Sequence, residues 1–255
     1  MKTVILCGGK GTRMREETEY RPKPLVDVGG RPIIWHIMKI YSHYGFNDFI
    51  LCTGYKGDML KQYFIDMHWR NNDFTLNFNK DAKVEYLSKE DETWKVTVID
   101  TGLETMTGGR LKMIERLIDE EIFMFTYGDG LSDINLNALL DFHLKKKKTA
   151  TITGVHPVSP FGILEAKNDI VKSFKEKPVL KDIVNGGFMV LNKSVFNYIP
   201  DKDCFFEQEP LHSLVSANEL AVYTHKGFWT SIDTYKDVER VNSIWNSGEK
   251  AWKVW

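Results

Sequence analysis

Cysteine is scarce in this sequence. Cys7, Cys52 and Cys204 are its three, and they lie far apart. That spacing fits neither a zinc site nor an even set of disulfides, so reduced thiols are expected. Cys7 reads as a small core residue rather than a nucleophile. An excess of either charge is also lacking: 34 Lys and Arg face 35 Asp and Glu, a net charge of −1. No global basic field is present, so no nucleic-acid partner is expected. No apolar run approaches the roughly 20 residues of a membrane helix, and no membrane segment is expected. Met1-Lys2 leads straight into an apolar run without a small-residue cleavage site, so no signal peptide and a cytoplasmic setting are expected. Internal repeats, low-complexity stretches and linkers rich in Pro, Gly or Ser are absent. A single domain over residues 1–255 is expected, which is long enough for one large core.

What is present is concentrated in the first 24 residues. Val4-Ile5-Leu6-Cys7 reads as a buried strand, followed by glycines at 8, 9 and 11, then Thr12, Arg13 and, after nine residues, Lys23-Pro24. Glycine lets backbone approach a ligand without a Cβ clash. Consecutive N–H groups in such a turn form an anion-binding concavity, and Arg13 and Lys23 add cations. Together they suggest a polyphosphate cradle; a plain strand-to-helix turn is the simpler alternative for the glycines alone. A P-loop would need Ser or Thr after Lys10, where Gly11 stands, and a dinucleotide fingerprint would need glycine at Met14.

Strand and helix patterns then alternate. Ile33 to Tyr44 has helical periodicity, Phe49–Cys52 is an apolar strand, and Met59, Leu60, Tyr63 and Phe64 mark a second helix face. Buried-looking strands alternating with helices predict an α/β fold: a Rossmann-like, mostly parallel mixed sheet flanked by helices, with ligands beyond the carboxyl ends of the strands. Residues 66–83 break the rhythm. Their asparagines and aromatics predict a loop or extended excursion packed on its own domain or on a neighbouring subunit. Residues 84–87 and 94–100 are expected to form a pair of strands. Thr105 to Arg110 form a second glycine turn at a helix start, a place that favours anions or polar ligand edges, with Arg110 as a surface residue beside a cap. Glu121–Tyr127 is an expected central strand ending in Gly128-Asp129-Gly130. A carboxylate at such a strand end suits a divalent cation, although Asp also simply forms turns. The four lysines at 145–148 complement a helix C-terminus. Phe161 to Phe174 alternates as a β-hairpin around Asn168-Asp169, the start of a β-rich lobe. Glu176-Lys177 and Asn185-Gly186 follow, an ordinary charged turn or a grip for phosphate and hydroxyls. Asp233 is expected to cap the last helix.

The pattern Leu-x-Gly-Gly-x-Gly-Thr-Arg, nine residues, Lys-Pro resembles the signature of the sugar-1-phosphate nucleotidylyltransferases. Later stretches, among them Trp35–Lys39, Met106–Arg110, Thr126–Gly130, Asn185–Phe188 and Glu207–Pro210, extend the likeness nearly end to end and are similar to the cytidylyl-transferring branch. That resemblance implies the nucleotide-diphospho-sugar transferase fold, with residues 1–130 as mainly the nucleotide half and 131–255 as mainly the sugar-phosphate half. It implies CTP and glucose 1-phosphate as partners and Mg²⁺ as cofactor; the aromatics of 66–83 point to a homo-oligomer. Leu6, Gly8, Gly9, Lys10, Gly11, Thr12, Arg13, Lys23, Thr105, Arg110 and Gly128 would contact nucleotide. Arg13, Lys23 and Asp129 would be catalytic, and Asp129 with Asp233 would hold the metal. Glu176, Lys177, Asn185 and Gly186 would grip the sugar phosphate. A glycosyltransferase fits less well, because Leu131 stands where its second acid is typical and Arg13 and Lys23 would go unexplained. A silent binding subunit is disfavoured by the intact lysine and aspartates.

Overall fold

The computed structural model describes residues 1–78, 83–87, 92–249 and 251–255. Its centre is a seven-stranded sheet. In chain order the strands are β1 (Lys2–Leu6), β2 (Asp48–Thr53), β3 (Lys95–Asp100), β4 (Ile122–Tyr127), β5 (Ala150–Val155), β6 (Val184–Asn192) and β7 (Leu220–His225). Across the sheet they run β7-β5-β6-β4-β1-β2-β3. β1 pairs in parallel with β2 and β4, β2 with β3, and β5 with β7; only β6 runs against its neighbours. The mixed, mostly parallel sheet expected from the alternating pattern is therefore present.

The middle strands read as unbroken apolar runs because both faces are covered. Ile5, Met124, Phe188 and Val190 point into one core, with α1 (Ile33–His43) and α6 (Tyr235–Ser247). Val4, Leu6, Phe123, Phe125 and Met189 point into the other, with α3 (Thr107–Met113) and α5 (Glu209–Ser216). Two further helices are α2 (Gly57–Asn71) and α4 (Leu136–Lys146), the latter capped by Asn135 and ending in the lysine run.

Register decides where the site lies. Leu6 is level with Cys52 on one side and Tyr127 on the other. Cys7 N donates to Cys52 O at 2.8 Å and Gly128 N to Leu6 O at 2.9 Å, so three strand ends are tied into one rim. The glycine turn and Gly128-Asp129 leave that rim together, at the carboxyl edge where α/β sheets bind ligands.

Three expectations meet the structure in detail. The 66–83 stretch is not an excursion throughout: α2 continues to Asn71, and Phe74–Asn77 then forms a strand; residues 79–82 lie outside the described residues. Residues 84–87 and 94–100 do supply two strands, Lys83–Tyr86 and β3, but these do not pair with each other. Lys83–Tyr86 pairs with Phe74–Asn77, whereas β3 joins the main sheet beside β2, where Val96 and Val98 pack on the core. The second half gives β5, β6 and β7 to the common sheet; its hairpin, Ile163–Lys167 with Ile170–Lys175, turns at the left-handed Asn168 and Asp169 as expected.

Candidate active site

The glycine turn is shaped by what supports it. A Cβ at Gly8 would lie 2.1 Å from the Arg110 guanidinium, and Gly11 has φ +60° with Thr18 Cγ2 2.7 Å from a would-be Cβ. Both positions require glycine. Gly9 faces open space. Thr18 Oγ1 lies within hydrogen-bond distance of two carbonyls, Gly11 O at 3.0 Å and Met14 O at 2.9 Å, which share its one proton.

Arg110 is 4% exposed and its guanidinium points inward. It donates to Thr53 O at 2.9 Å, Thr101 Oγ1 at 2.7 Å, Gly102 O at 2.8 Å and Gly8 O at 3.2 Å. Burial pulls its pKa down from the usual arginine range. It therefore knits the ends of β1, β2 and β3 into a floor beneath the cavity, in place of the surface arginine that a simple cap would give.

Lys23 begins a single 3₁₀ turn, Lys23–Leu25, behind Pro22. Its Nζ donates to Asp129 Oδ2 at 2.7 Å and to Asp233 Oδ1 at 2.8 Å. Arg13 Nη2 reaches the same Asp233 oxygen at 2.9 Å. Burial disfavours the charged lysine, yet the two carboxylates outweigh it and hold the Lys23 pKa above its ordinary value. Burial likewise opposes the Asp233 charge, and Lys23 with Arg13 overcomes it and holds that carboxyl below the usual range.

Asp129 and Asp233 meet because Trp229–Ser231 pairs antiparallel with Gly130–Ser132, and Ile232 N donates to Asp129 O at 3.0 Å. Asp233 is not the cap of α6. Thr234 is: its hydroxyl accepts from Asp237 N, and Asp237 returns a bond to Thr234 N in a capping box. The cap lies one residue along, and Asp233 faces the two cations instead.

A cavity of about 330 Å³ opens over this floor. Leu6, Gly8, Gly9, Gly11, Thr12, Arg13, Lys23, Thr105, Arg110, Gly128, Asp129 and Asp233 all line it. Lys10 does not; it pairs with Glu104 at 2.6 Å on the rim. A second cavity of about 320 Å³ shares Arg13, Tyr127, Asp129 and Asp233 and is lined by Asn185, Gly186, Gly187 and Trp229. Glu176 and Lys177 lie outside both: their side chains are 62% and 54% exposed and face each other at 3.9 Å. They follow an exposed hairpin, so nothing packs them toward the sheet. Among the described residues no group of three or more potential metal ligands converges. Two carboxylates aimed at one cationic point are the donor set that suits Mg²⁺, whose remaining ligands are phosphates and water.

The sequence did not single out Tyr127, Thr107 or Glu207. Tyr127 and Thr107 line the first cavity, and Glu207 joins them by hydrogen bonds. The acidic run 207–209 reads as a helix start, but α5 begins at Glu209 and leaves Glu207 free to bond elsewhere.

The family model described as nucleotidyl transferase matches residues 2–251. This chain belongs to the nucleotidyl transferase family. It is 51% identical, over the full length of both chains, to a Bacillus subtilis (strain 168) protein named probable glucose-1-phosphate cytidylyltransferase. It is 45% identical, again over both full lengths, to glucose-1-phosphate cytidylyltransferase of Salmonella typhimurium (strain LT2). The crystal structure of HddC from Yersinia pseudotuberculosis aligns with a TM-score of 0.69 at 23% identity, covering 96% of this chain and 99% of that one, a likeness of fold. The family's fold is thus the one that the sheet order displays.

Proposed function

We propose that this chain transfers the cytidylyl group of CTP to α-D-glucose 1-phosphate, giving CDP-glucose and pyrophosphate. The observation that carries this is Lys23, held between Asp129 and Asp233 where the two cavities join. Base and sugar follow from the full-length likeness to proteins named for that reaction.

The sugar-phosphate oxygen is already an anion, so no general base is needed. It attacks the α-phosphorus, the bond from that phosphorus to the bridging oxygen breaks, and pyrophosphate leaves with the electron pair. The residues' work is positioning and charge stabilisation. The turn at Gly8, Gly9 and Gly11 offers backbone to the nucleotide and its phosphates. Lys23 offsets charge at the α-phosphorus, and Arg13 holds the departing pyrophosphate. Asn185 and Gly186 serve the sugar. Glu176 would serve the sugar hydroxyls and Lys177 the sugar's phosphate, both from their exposed positions beside the cavity. Asp129 and Asp233 would hold Mg²⁺. When bound, that ion supplies neutralising charge to the phosphate oxygens.

The same proposal treats residues 1–130 and 131–255 as nucleotide and sugar-phosphate halves of one domain. It also includes self-association: Phe161, Leu164 and Phe174 are 75%, 59% and 61% exposed along one hairpin region, an apolar surface that supports a protein partner. A cytoplasmic location belongs to it as well; no described helix is long and apolar enough to cross a membrane.

The test is pyrophosphate release with Mg²⁺ and glucose 1-phosphate, offering CTP, UTP, dTTP, ATP and GTP separately. Release with CTP well above the others is expected. Preference for another nucleotide would overturn the base, and release with none would overturn the pairing with glucose 1-phosphate.

A further inference from the structure

Tyr127 stands between the two cavities and lines both. It is the last residue of β4, two before Asp129. Its hydroxyl donates to Glu207 Oε1. The other Glu207 oxygen accepts from Thr107 Oγ1 at 2.6 Å, and Thr107 Oγ1 accepts from Phe206 N at 2.8 Å. Thr107 opens α3 on the nucleotide side. On the sugar side, Gly187 lies so close to the ring that a Cβ there would fall 2.9 Å from Tyr127 Cδ2. Gly187 N donates to Asn185 Oδ1 at 2.9 Å, and the Asn185 side chain approaches the phenol oxygen. A phenol that gives its proton to Glu207 has only lone pairs left to offer, so a neighbouring Asn185 amide can meet it only with its N–H edge.

We infer that Tyr127 and Glu207 are positioning residues for the sugar-phosphate substrate, forming with Thr107 a hydrogen-bonded line from the nucleotide cavity to the sugar cavity, where the phenol lies beside Asn185. This rests on the activity proposed above. The chemistry recognised is a sugar hydroxyl, which meets an amide held with one polar edge toward Gly187 and the other toward Tyr127. Glu207 lies 80 residues from Tyr127 and 100 from Thr107 in the chain. It therefore joins three separate segments, and a change at the nucleotide end can be felt at Asn185.

The experiment measures KM for glucose 1-phosphate and for CTP separately in Tyr127→Phe, Thr107→Val, Glu207→Gln and Glu207→Ala, alongside the Asn185 side-chain amide signals by NMR. Tyr127→Phe is expected to raise KM for glucose 1-phosphate at least fivefold, to leave KM for CTP within twofold and Tm within a few degrees, and to move the Asn185 signals. Thr107→Val is expected to raise the sugar-phosphate KM although it sits at the nucleotide end. Glu207→Gln keeps an acceptor for the phenol and is expected to lose less than Glu207→Ala. Equal rises in both constants together with a lower Tm would mean structural support only and would overturn the proposal. So would unchanged constants. If the wild-type protein releases no pyrophosphate from CTP and glucose 1-phosphate, the activity fails separately. The Asn185 signals in Tyr127→Phe then decide: unmoved they overturn the positioning role, and moved they sustain it.

Discussion

At Lys23 a single ammonium answers two carboxylates that come from positions 129 and 233 of the chain, at 2.7 and 2.8 Å. Its side chain is 13% exposed, so the pair of contacts works in a sheltered site rather than in bulk water. Removing the ammonium is expected to cost turnover far more than fold: Lys23→Ala should lower kcat about a hundred- to a thousandfold, the scale of losing one preorganised electrostatic group. Lys23→Arg should not restore it, because a planar fork cannot place one point charge between both carboxylates. Pyrophosphate-release kinetics with circular dichroism check both. The glycines separate in the same way. Gly8→Ala drives a Cβ into the guanidinium of Arg110 and should break its bonds to Thr53 O and Gly102 O, whereas Gly9→Ala meets nothing and should keep the Tm of the parent. A Gly8→Ala protein as stable as Gly9→Ala in a thermal melt would contradict that account. The glycine signature was legible in the sequence, but not the reason Gly8 must be glycine. That reason is a buried arginine 102 residues away, and only the fold brings it there.

At the scale of elements, legibility followed burial. β1, β2 and β4 announce themselves because both of their faces are covered, and a strand without a wet face has no polar positions to blur it. α2 hides its length for the opposite reason. Of its fifteen residues only Gly57 and Leu60 are buried, so its last two turns carry no apolar stripe that periodicity could find. The junction into α6 was half legible. A cap was expected, and Asp233 is a good capping residue, but the adjacent Thr234 takes the role and leaves Asp233 for Lys23 and Arg13. Cap and site are thus neighbours with separate duties, and mutation should part them. Thr234→Ala should cost about 1 kcal/mol of stability with activity near normal. Asp233→Asn should leave the melt nearly unchanged and remove most activity. A thermal melt and a turnover assay on both proteins suffice; loss of activity in Thr234→Ala equal to that in Asp233→Asn would show that the two duties are not separable.

Across the whole molecule, the chain closes on itself through His36. The ring lies on α1, fully buried, with Nε2 2.7 Å from Val28 O and Nδ1 accepting from Trp252 Nε1 at 3.3 Å. Trp245 and Trp255 flank it edge-on or tilted, and Trp245 also fills the space above Gly29. Those contacts use both ring nitrogens, one as donor and one as acceptor, which only the neutral tautomer can satisfy. Burial accordingly lowers its pKa from 6.5 to about 4. The unfolded chain takes up a proton near 6.5 and the folded chain does not until about 4. Within that window the unfolded state binds more protons, so stability falls as the pH falls, by roughly 3 kcal/mol in all. His143, buried between Thr151 and Asn192, is lowered too and acts in the same direction. The carboxyls held below their usual range, such as Asp233 and Asp237, add their loss only at more acidic pH, below the ordinary carboxylate values. Urea denaturation at pH 7.5, 6 and 5 should therefore give a midpoint that drops steadily before the carboxylates begin to titrate. His36→Gln supplies the control: it keeps a donor for Val28 O and cannot titrate. It should start less stable at pH 7.5, and its deficit should shrink toward pH 5. Two curves that stay parallel across that range would mean that the acid sensitivity of the fold lies elsewhere than at the join between α1 and the C-terminal tryptophans.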